Sequence, residues 1–313
     1  MRIVALCCYA FSISAAAGLL AGCGAVQTPA SAPDTLPQQR VHTASSSSGD
    51  LLYIGGDDEV SIVTYPQGKY IDHFDLQDTP ASMCSDKHGN VFVGVPNTGI
   101  LEYAHGGDSP IATLSVTGYP SACSVDPTTG NLAVASGDAI AIYPNAQDPP
   151  TYYSDPTMDT YFYCGYDNNG NLFVDGENSQ SQEQSLKLTE LSAGSSSFSD
   201  ITLNKSLKKT RNGGTLQWLG SYLALTNAGA ILHIAISGTT GTIVGKTAAK
   251  GLKNHWVVYG RRLISPYGRE DRQPFEVAYW KYPKGGAPSQ VINDRFLQVY
   301  NLAISVGSQP GRR

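Results

Sequence analysis

Three stretches of the chain, residues 84–90, 123–131 and 164–171, repeat one arrangement of cysteine, aspartate, glycine and asparagine. Carboxylate and amide oxygens are ligands for hard cations, and thiolates are ligands for zinc. In each stretch, however, the aspartate and the asparagine flank a glycine in a short polar segment between two apolar runs. Side chains of this type bond to the neighbouring backbone in tight turns, so we interpret the repeated carboxylates as turn residues rather than as a metal site.

The cysteines of these stretches are Cys84, Cys123 and Cys164, an odd number at corresponding places in consecutive units. Such a set does not indicate a disulfide framework. Corresponding points of neighbouring units should also lie further apart than the roughly 7 Å that a disulfide allows between Cα atoms. We therefore expect three small buried apolar side chains and no disulfide.

A second group of polar residues comes just before apolar, strand-like runs: Asn212, Asn254 with His255 beside it, and Asn301. Their shared position predicts that they contact a ligand at one place in the fold. No Glu or Asp takes the corresponding position in the other units, and a hard cation without a carboxylate is held weakly. Because the six histidines show no metal-ligand spacing and no Ser-His-Asp arrangement stands out, we assign no catalytic residue and no metal ligand.

Tyrosines are concentrated near residue 160, and Tyr152, Tyr153 and Tyr161 are further candidates for ligand contacts. An aromatic ring with a hydroxyl group offers a flat apolar platform and a hydrogen bond, which suits a sugar or a peptide segment. Tyrosine is also frequent in strands, where its ring packs against neighbouring strands. Both interpretations remain open from the sequence.

These residues recur because the chain is built from repeated units. A glycine followed by a short alternating strand returns at intervals of 40, 41, 40, 50 and 40 residues, at Gly49, Gly89, Gly130, Gly170, Gly220 and Gly260. An apolar strand precedes each of these turns from the second onward, and two further strands follow each turn. A period near 40 residues with four short strands in each unit is typical of β-propeller blades.

The strand pattern also predicts how the ring closes. The second, third and fourth strands of the unit occur six times, whereas the first strand occurs five times before residues 300–307 supply the sixth. We therefore predict an all-β fold over residues 50–313. It is a six-bladed β-propeller of four-stranded antiparallel blades, closed by one C-terminal strand plus three N-terminal strands. Such a closure leaves no long unpaired edge.

Composition excludes some partners. Charged residues make up 15% of the chain, and the net charge of -5 includes no long run of one sign. Neither nucleic-acid binding nor a polybasic membrane patch is indicated. We expect a monomer.

The N-terminus has the organisation of a targeting segment. An apolar run follows Arg2 and closes on Leu20-Ala21-Gly22-Cys23, which resembles the lipobox of bacterial lipoproteins. The resemblance implies a signal peptide over residues 1–22, a lipid on Cys23, and attachment to the cell envelope, at the outer membrane if the host is Gram-negative. An uncleaved anchor helix is the alternative. Residues 23–49 are rich in Pro, Ala, Ser and Thr and have few large apolar side chains, which predicts a disordered tether.

The repeated phrase that ends in Gly-Asn, a hydrophobic residue, an aromatic or small residue and Val resembles the NHL repeat and the related gluconolactonase-like propellers. It is clearest over residues 84–93, 123–134 and 164–174. The resemblance implies a six-bladed propeller whose channel face is the usual ligand face. We favour a lipid-anchored binding or scaffold module for a protein, glycan or small ligand. The alternative implied by the resemblance is a metal-dependent, lactonase-like hydrolase or lyase with a divalent cation in the central channel.

Overall fold

The computed structural model describes residues 48–179, 186–207, 213–268, 276–293 and 298–308. Cys23 and the predicted signal peptide and tether, except for their last two residues, lie outside these ranges, as does Asn212. The described residues form 25 strands and one short 3-10 turn, Pro144–Ala146. No helix among them is long and apolar enough to cross a membrane.

The strands form six sheets, antiparallel apart from one short parallel pairing, which we number as blades in chain order. Blade 1 contains β1 (Leu51–Gly55), β2 (Glu59–Thr64), β3 (Tyr70–Asp75) and β25 (Asn301–Ser305); blade 2 contains β4 (Ser82–Ser85), β5 (Val91–Val95), β6 (Gly99–Tyr103) and β7 (Pro110–Leu114); blade 3 contains β8 (Pro120–Val125), β9 (Leu132–Ser136), β10 (Ala139–Tyr143) and β11 (Thr151–Tyr153).

The later blades follow the same order. Blade 4 contains β12 (Thr160–Tyr166), β13 (Leu172–Glu177), β14 (Lys187–Leu191) and β15 (Ser199–Asp200); blade 5 contains β17 (Leu216–Leu219), β18 (Tyr222–Asn227), β19 (Ala230–Ser237) and β20 (Thr240–Thr247), with β16 (Thr202–Leu203) pairing in parallel along β20; blade 6 contains β21 (Val257–Tyr259), β22 (Arg262–Tyr267), β23 (Glu276–Lys281) and β24 (Gln290–Ile292).

The predicted architecture is confirmed, including the closure of the ring. The C-terminal strand β25 pairs antiparallel with β1, with Gly55 opposite Asn301 and Leu51 opposite Ser305. One C-terminal and three N-terminal strands therefore make up blade 1. The fifth blade differs from the prediction because β16 adds a fifth strand at its outer edge.

The core lies between the blades. Each second strand is covered on both faces by neighbouring blades, so its residues are almost all apolar and buried, as in β5 and β9. Outermost strands such as β7 expose most of their residues. The first strand of each blade is the innermost one, and the six innermost strands face one another around the central axis.

The turn aspartates have the structural role that the sequence predicts. Asp86 Oδ1 accepts hydrogen bonds from the backbone N–H groups of His88 and Asn90, at 2.9 and 2.8 Å. Asp167 makes the same two bonds in blade 4, to Asn169 and Asn171. Both carboxylates therefore accept hydrogen bonds from backbone N–H groups of their own turns.

The prediction that no disulfide forms is wrong. Cys84 and Cys123 are disulfide-bonded, with Cα atoms 5.7 Å apart. Cys84 pairs with Phe92, two residues beyond the asparagine of its turn, whereas Cys123 pairs with Val134, three residues beyond the corresponding asparagine. An offset of one residue turns a side chain to the other face of its sheet. The two cysteines therefore face each other across the gap between blades 2 and 3, near the axis where the innermost strands converge.

The third cysteine fits the expectation of a small buried side chain. Cys164 pairs with Val174 in the register of Cys123, so it faces blade 3, where its Sγ lies 3.8 Å from the carbonyl oxygen of Ala133. Its thiol is free and buried. Burial raises the pKa of the thiol to about 12, which keeps it protonated and unreactive at neutral pH.

Candidate functional site in the central channel

The innermost strands of all six blades enclose a channel that contains a cavity of about 340 Å³. Its walls are β4, β8, β12, β17, β21 and β25 with the residues next to them. Small-molecule sites have volumes of about 300–1,000 Å³. The channel can therefore take a small ligand.

One polar side chain from each blade lines this cavity near the start of the innermost strand. We call this set the polar ring; its members, from blade 1 to blade 6, are Asn301, Ser82, Ser121, Tyr163, Thr215 and His255. The six strands occupy the same place in their blades, so their first residues lie at the same end of the channel.

Three members of the polar ring bond to the next blade. Asn301 Nδ2 donates to the carbonyl oxygen of Pro80 at 2.6 Å, and Ser121 Oγ donates to that of Phe162 at 3.2 Å. Thr215 Oγ1 donates to the carbonyl oxygen of Asn254. These bonds hold successive blades at the mouth of the channel.

Ser82 differs from these three residues. Its side chain is buried, and its hydroxyl group has no hydrogen-bond partner among the described residues. A buried hydroxyl without a partner costs about 1–3 kcal/mol. The hydroxyl oxygen is enclosed beside Gly94 of β5, so Ser82 borders the cavity without presenting this group to a ligand.

Tyr163 and His255 meet across blade 5. The Tyr163 hydroxyl lies 3.1 Å from Nε2 of His255, and the two rings pack edge to face with centroids 5.5 Å apart. Burial lowers the pKa of His255 to about 4 and raises the pKa of Tyr163, so both groups are neutral at pH 7. The histidine side chain is half-buried, since a narrow channel leaves it in contact with water while protein surrounds it on most sides.

The buried carboxyl group of Asp175 holds the backbone of Tyr163 in place. Asp175 of β13 accepts hydrogen bonds from the backbone N–H groups of Tyr163 and Gly214, both at 2.8 Å. Burial raises the pKa of Asp175 to about 8 and outweighs these two bonds, which act in the opposite direction. Asp175 fixes the strand irregularity between Tyr161 and Tyr163 and ties blade 4 to blade 5.

Aromatic residues line the cavity toward the ends of the innermost strands. We call Tyr166, Trp218 and Tyr259 the aromatic end; all three are half-buried. Trp218 stacks on Phe173 with centroids 5.7 Å apart. Next to it, the Gln217 side chain accepts a hydrogen bond from the backbone N–H of Val258 at 2.8 Å and donates one to its carbonyl oxygen at 3.0 Å.

The cavity carries no charge in the part of the chain that the structure describes. None of the described residues that line it is Asp, Glu, Lys or Arg, and its histidine is neutral at pH 7. A hard cation requires carboxylate or carbonyl oxygens aimed at one point. The described lining instead offers hydroxyl, amide, imidazole and aromatic groups, which suit a neutral ligand.

The predicted contact residues are only partly brought together. His255 and Asn301 line the cavity, but the amide of Asn301 is already bonded to Pro80. Asn254 is exposed and is not part of the lining, and Asn212 lies outside the described residues.

The tyrosine candidates lie elsewhere. Tyr152 and Tyr153 belong to β11, the outermost strand of blade 3, so they lie at the rim of the propeller and not at the channel. Tyr161 is 2% exposed, and its hydroxyl group accepts a hydrogen bond from the backbone N–H of Asp155, which makes it a core residue. Sequence reasoning missed Trp218 and Tyr259; the available signal was their shared position at the end of a first strand.

A second, more open depression of about 650 Å³ lies outside the channel, beside the hairpin between β5 and β6. Asp78, Asn97 and Tyr119 are among its lining residues. Tyr119 is 58% exposed, the ring being one of the few large apolar side chains on the described surface. This residue provides a control for the channel because it is aromatic and accessible but not part of the cavity wall.

No protein-family model matches the chain, and no curated protein sequence matches it. Solved structures match at 12% sequence identity. A chain in a crystal structure of a nidogen/laminin complex gives a TM-score of 0.62 over 83% of this chain and 100% of that one. A Bacteroides caccae protein of unknown function gives 0.58 over 82% and 99%, and the Myceliophteria thermophila Cps50 (Swd1) β-propeller domain gives 0.59 over 82% and 86%. The chain thus has a fold similar to these proteins, and at such identity the similarity shows the fold alone.

Proposed function

We propose that this propeller is a binding module, not an enzyme, and that it takes a neutral saccharide unit into its central channel. The observation that carries the proposal is the uncharged cavity with the polar ring at one end and the aromatic end at the other. Aromatic faces stack on the apolar face of a sugar ring, and the hydroxyl and amide groups bond to its hydroxyls. The half-buried ring of His255 also lines the cavity and adds an imidazole that can bond to a hydroxyl in the same way.

The lactonase-like alternative has less support. That chemistry places a divalent cation in the channel, and the described lining has no carboxylate to hold it. Asp175 is a buried carboxyl group behind Tyr163; both of its oxygens accept backbone hydrogen bonds, and it is largely protonated below pH 8. Binding of a neutral ligand, in contrast, requires only the uncharged side chains that line the cavity.

We place the module at the cell envelope, attached through a lipid on Cys23. The sequence Leu20-Ala21-Gly22-Cys23 supports this location. The disulfide between Cys84 and Cys123 supports it independently, because such bonds persist in oxidising compartments outside the cytoplasm. Mass spectrometry of the mature chain tests this part: loss of the first 22 residues together with a lipid adduct is expected, and an intact N-terminus without lipid would contradict it.

The channel proposal is tested by calorimetric titration of the full chain with cellobiose, maltose, mannobiose and chitobiose. We expect at least one to bind with a stoichiometry near one. The Trp218→Ala variant, which removes a half-buried ring from the aromatic end, should bind about 3–10-fold more weakly, because one aromatic contact contributes about 0.5–1.5 kcal/mol. The melting temperature of the variant is measured as well, so that weaker binding is separated from unfolding.

The matched control is Tyr119→Ala, which removes an accessible aromatic ring outside the channel. Its affinity should equal that of the wild type. If none of the four sugars binds, or if Tyr119→Ala and not Trp218→Ala weakens binding, the channel proposal is wrong. Since a chain of this fold occurs in a complex of nidogen with laminin, capture of a protein in place of a sugar would point to a scaffold function.

A further inference from the structure

Three side chains of types that can ligate metals lie close together on the outer part of blade 1, away from the channel. They are Glu59 at the start of β2, and His73 and Asp75 near the end of β3. One ligand atom of each residue lies within 4.8 Å of those of the other two. His73 and Asp75 are exposed, and Glu59 is half-buried.

The strand register explains why these residues meet. Glu59 lies opposite Asp75, and Ser61 lies opposite His73. Cross-strand partners and residues two apart share one face of a sheet, so all four side chains lie on the same face. The opposite face carries Val60 and Phe74, both buried, with Phe74 stacked on Tyr103 of blade 2 at 4.1 Å. The cluster therefore stands on a packed, rigid hairpin.

Two neighbouring hydroxyl groups orient the cluster. Ser61 Oγ donates to Glu59 Oε1 at 2.9 Å, and the Tyr70 hydroxyl lies 2.7 Å from Nδ1 of His73. Histidines that bind metals usually have the second ring nitrogen hydrogen-bonded in this way, which fixes the tautomer and the ring orientation. Nδ1 of His73 is thereby engaged, and Nε2 is the nitrogen left to ligate.

We propose that Glu59, His73 and Asp75 bind a divalent transition metal ion of the zinc class. One imidazole nitrogen and two carboxylate oxygens provide three protein ligands, and water completes the coordination. The imidazole distinguishes the set from an ordinary acidic surface patch, and it favours zinc over calcium or magnesium. With bonds of about 2.0–2.2 Å the ligand atoms would lie about 3–4 Å apart, a contraction that the exposed His73 and Asp75 side chains can make by changing rotamer.

This proposal does not depend on the channel, and it differs from the sequence interpretation, which found no ligand spacing among the histidines. The sequence spacing does not indicate this site because the three residues come from two strands joined by a turn. Glu59 is 14 residues before His73 in the sequence, and only the antiparallel pairing of β2 with β3 brings them together.

The test is calorimetric titration of the full chain, purified without a histidine tag, with Zn²⁺ alone and with Ca²⁺ alone. One equivalent of Zn²⁺ should bind, and Ca²⁺ should bind at least tenfold more weakly. His73→Ala should abolish saturable Zn²⁺ binding. Tyr70→Phe, which removes only the hydroxyl group beside Nδ1, should weaken it about 10-fold or more, as expected for an orienting partner.

The matched control is His88→Ala, which removes an exposed histidine from the turn between β4 and β5. Its Zn²⁺ affinity should equal that of the wild type. Absence of saturable Zn²⁺ binding by the wild type would overturn the proposal, and so would binding that His73→Ala leaves unchanged. Equal losses in His73→Ala and His88→Ala would indicate diffuse surface binding and would also overturn it. All of these residues are exposed or half-buried, so the variants should fold.

Discussion

The junction between blades 2 and 3 and the junction between blades 3 and 4 place a pair of residues in corresponding registers, and one member of the pair differs. At the first, Cys84 meets Cys123, whose Sγ lies 4.0 Å from the carbonyl oxygen of Phe92. At the second, Ser124 takes the register of Cys84, and Cys164 takes that of Cys123, 3.8 Å from the carbonyl oxygen of Ala133.

One junction is therefore covalent and the other is not. Ser124 Oγ accepts a hydrogen bond from the backbone N–H of Tyr166 at 3.1 Å in place of a disulfide. The cross-strand register, and not the mere presence of cysteines in consecutive units, therefore decides which blades are linked. Two changes at these junctions should therefore have separable effects on stability.

Removing the disulfide should have the largest effect. Replacement of Cys84 and Cys123 by alanine opens a loop whose ends are 39 residues apart in the sequence, which in the chain-entropy account costs about 4 kcal/mol. The free energy of unfolding, from urea denaturation under oxidising conditions, should fall by roughly that amount. Reduction of the wild type should give the same loss, whereas a loss below about 1 kcal/mol in both would mean that the bond contributes little to stability.

Adding a second disulfide should have the next largest effect. Ser124→Cys places a thiol opposite Cys164 in the register that joins Cys84 to Cys123. A new bond across about 40 residues should stabilise the fold by about 2–3 kcal/mol after loss of the hydrogen bond to Tyr166. Mass mapping of the oxidised protein identifies the bond. If the Ser124→Cys thiol and the Cys164 thiol both stay free after oxidation, the two junctions are not equivalent.

These junctions also show what the sequence can and cannot predict. The blade count and the closure follow from local patterns, such as the glycine spacing and the alternation around Leu132, so they were predictable. The disulfide was not predicted because the three cysteines appear equivalent in the repeated stretches, although Cys84 precedes its turn aspartate by two residues and Cys123 by three. Trp218 was missed because the later units lack the aspartate and asparagine that mark the register.

The junction between blades 4 and 5 should be sensitive to pH. Burial raises the pKa of Asp175 to about 8, above its value of about 4 in the unfolded chain. The folded state therefore holds the proton more tightly, and stability falls as the pH rises toward 8. Between pH 6.5 and 8 the loss should be about 2 kcal/mol, at no more than about 1.4 kcal/mol per pH unit. Urea denaturation of Asp175→Asn should show a flatter profile in this range; a slope equal to that of the wild type would contradict the assignment.

His255 should produce the smallest effect and one of opposite sign. Its pKa is lowered by burial from 6.5 to about 4, so its contribution is present above pH 6.5 and is lost as the pH falls toward 4. The slope should be about 1 kcal/mol per pH unit at most, because the ring keeps some contact with water. Over the same range Asp175 gains stability with falling pH, so the two contributions partly cancel in the wild type.

Replacement of His255 by glutamine removes one of the two opposing contributions. Between pH 6.5 and 4.5, His255→Gln should therefore become more stable relative to the wild type as the pH falls, by about 1 kcal/mol over the range. Above pH 7 the difference between the two proteins should not depend on pH, since His255 is neutral in both the folded and the unfolded state. A difference that stays constant down to pH 4.5 would show that the ring titrates as it does in water, and that the channel beside Tyr163 is more open than its buried surroundings indicate.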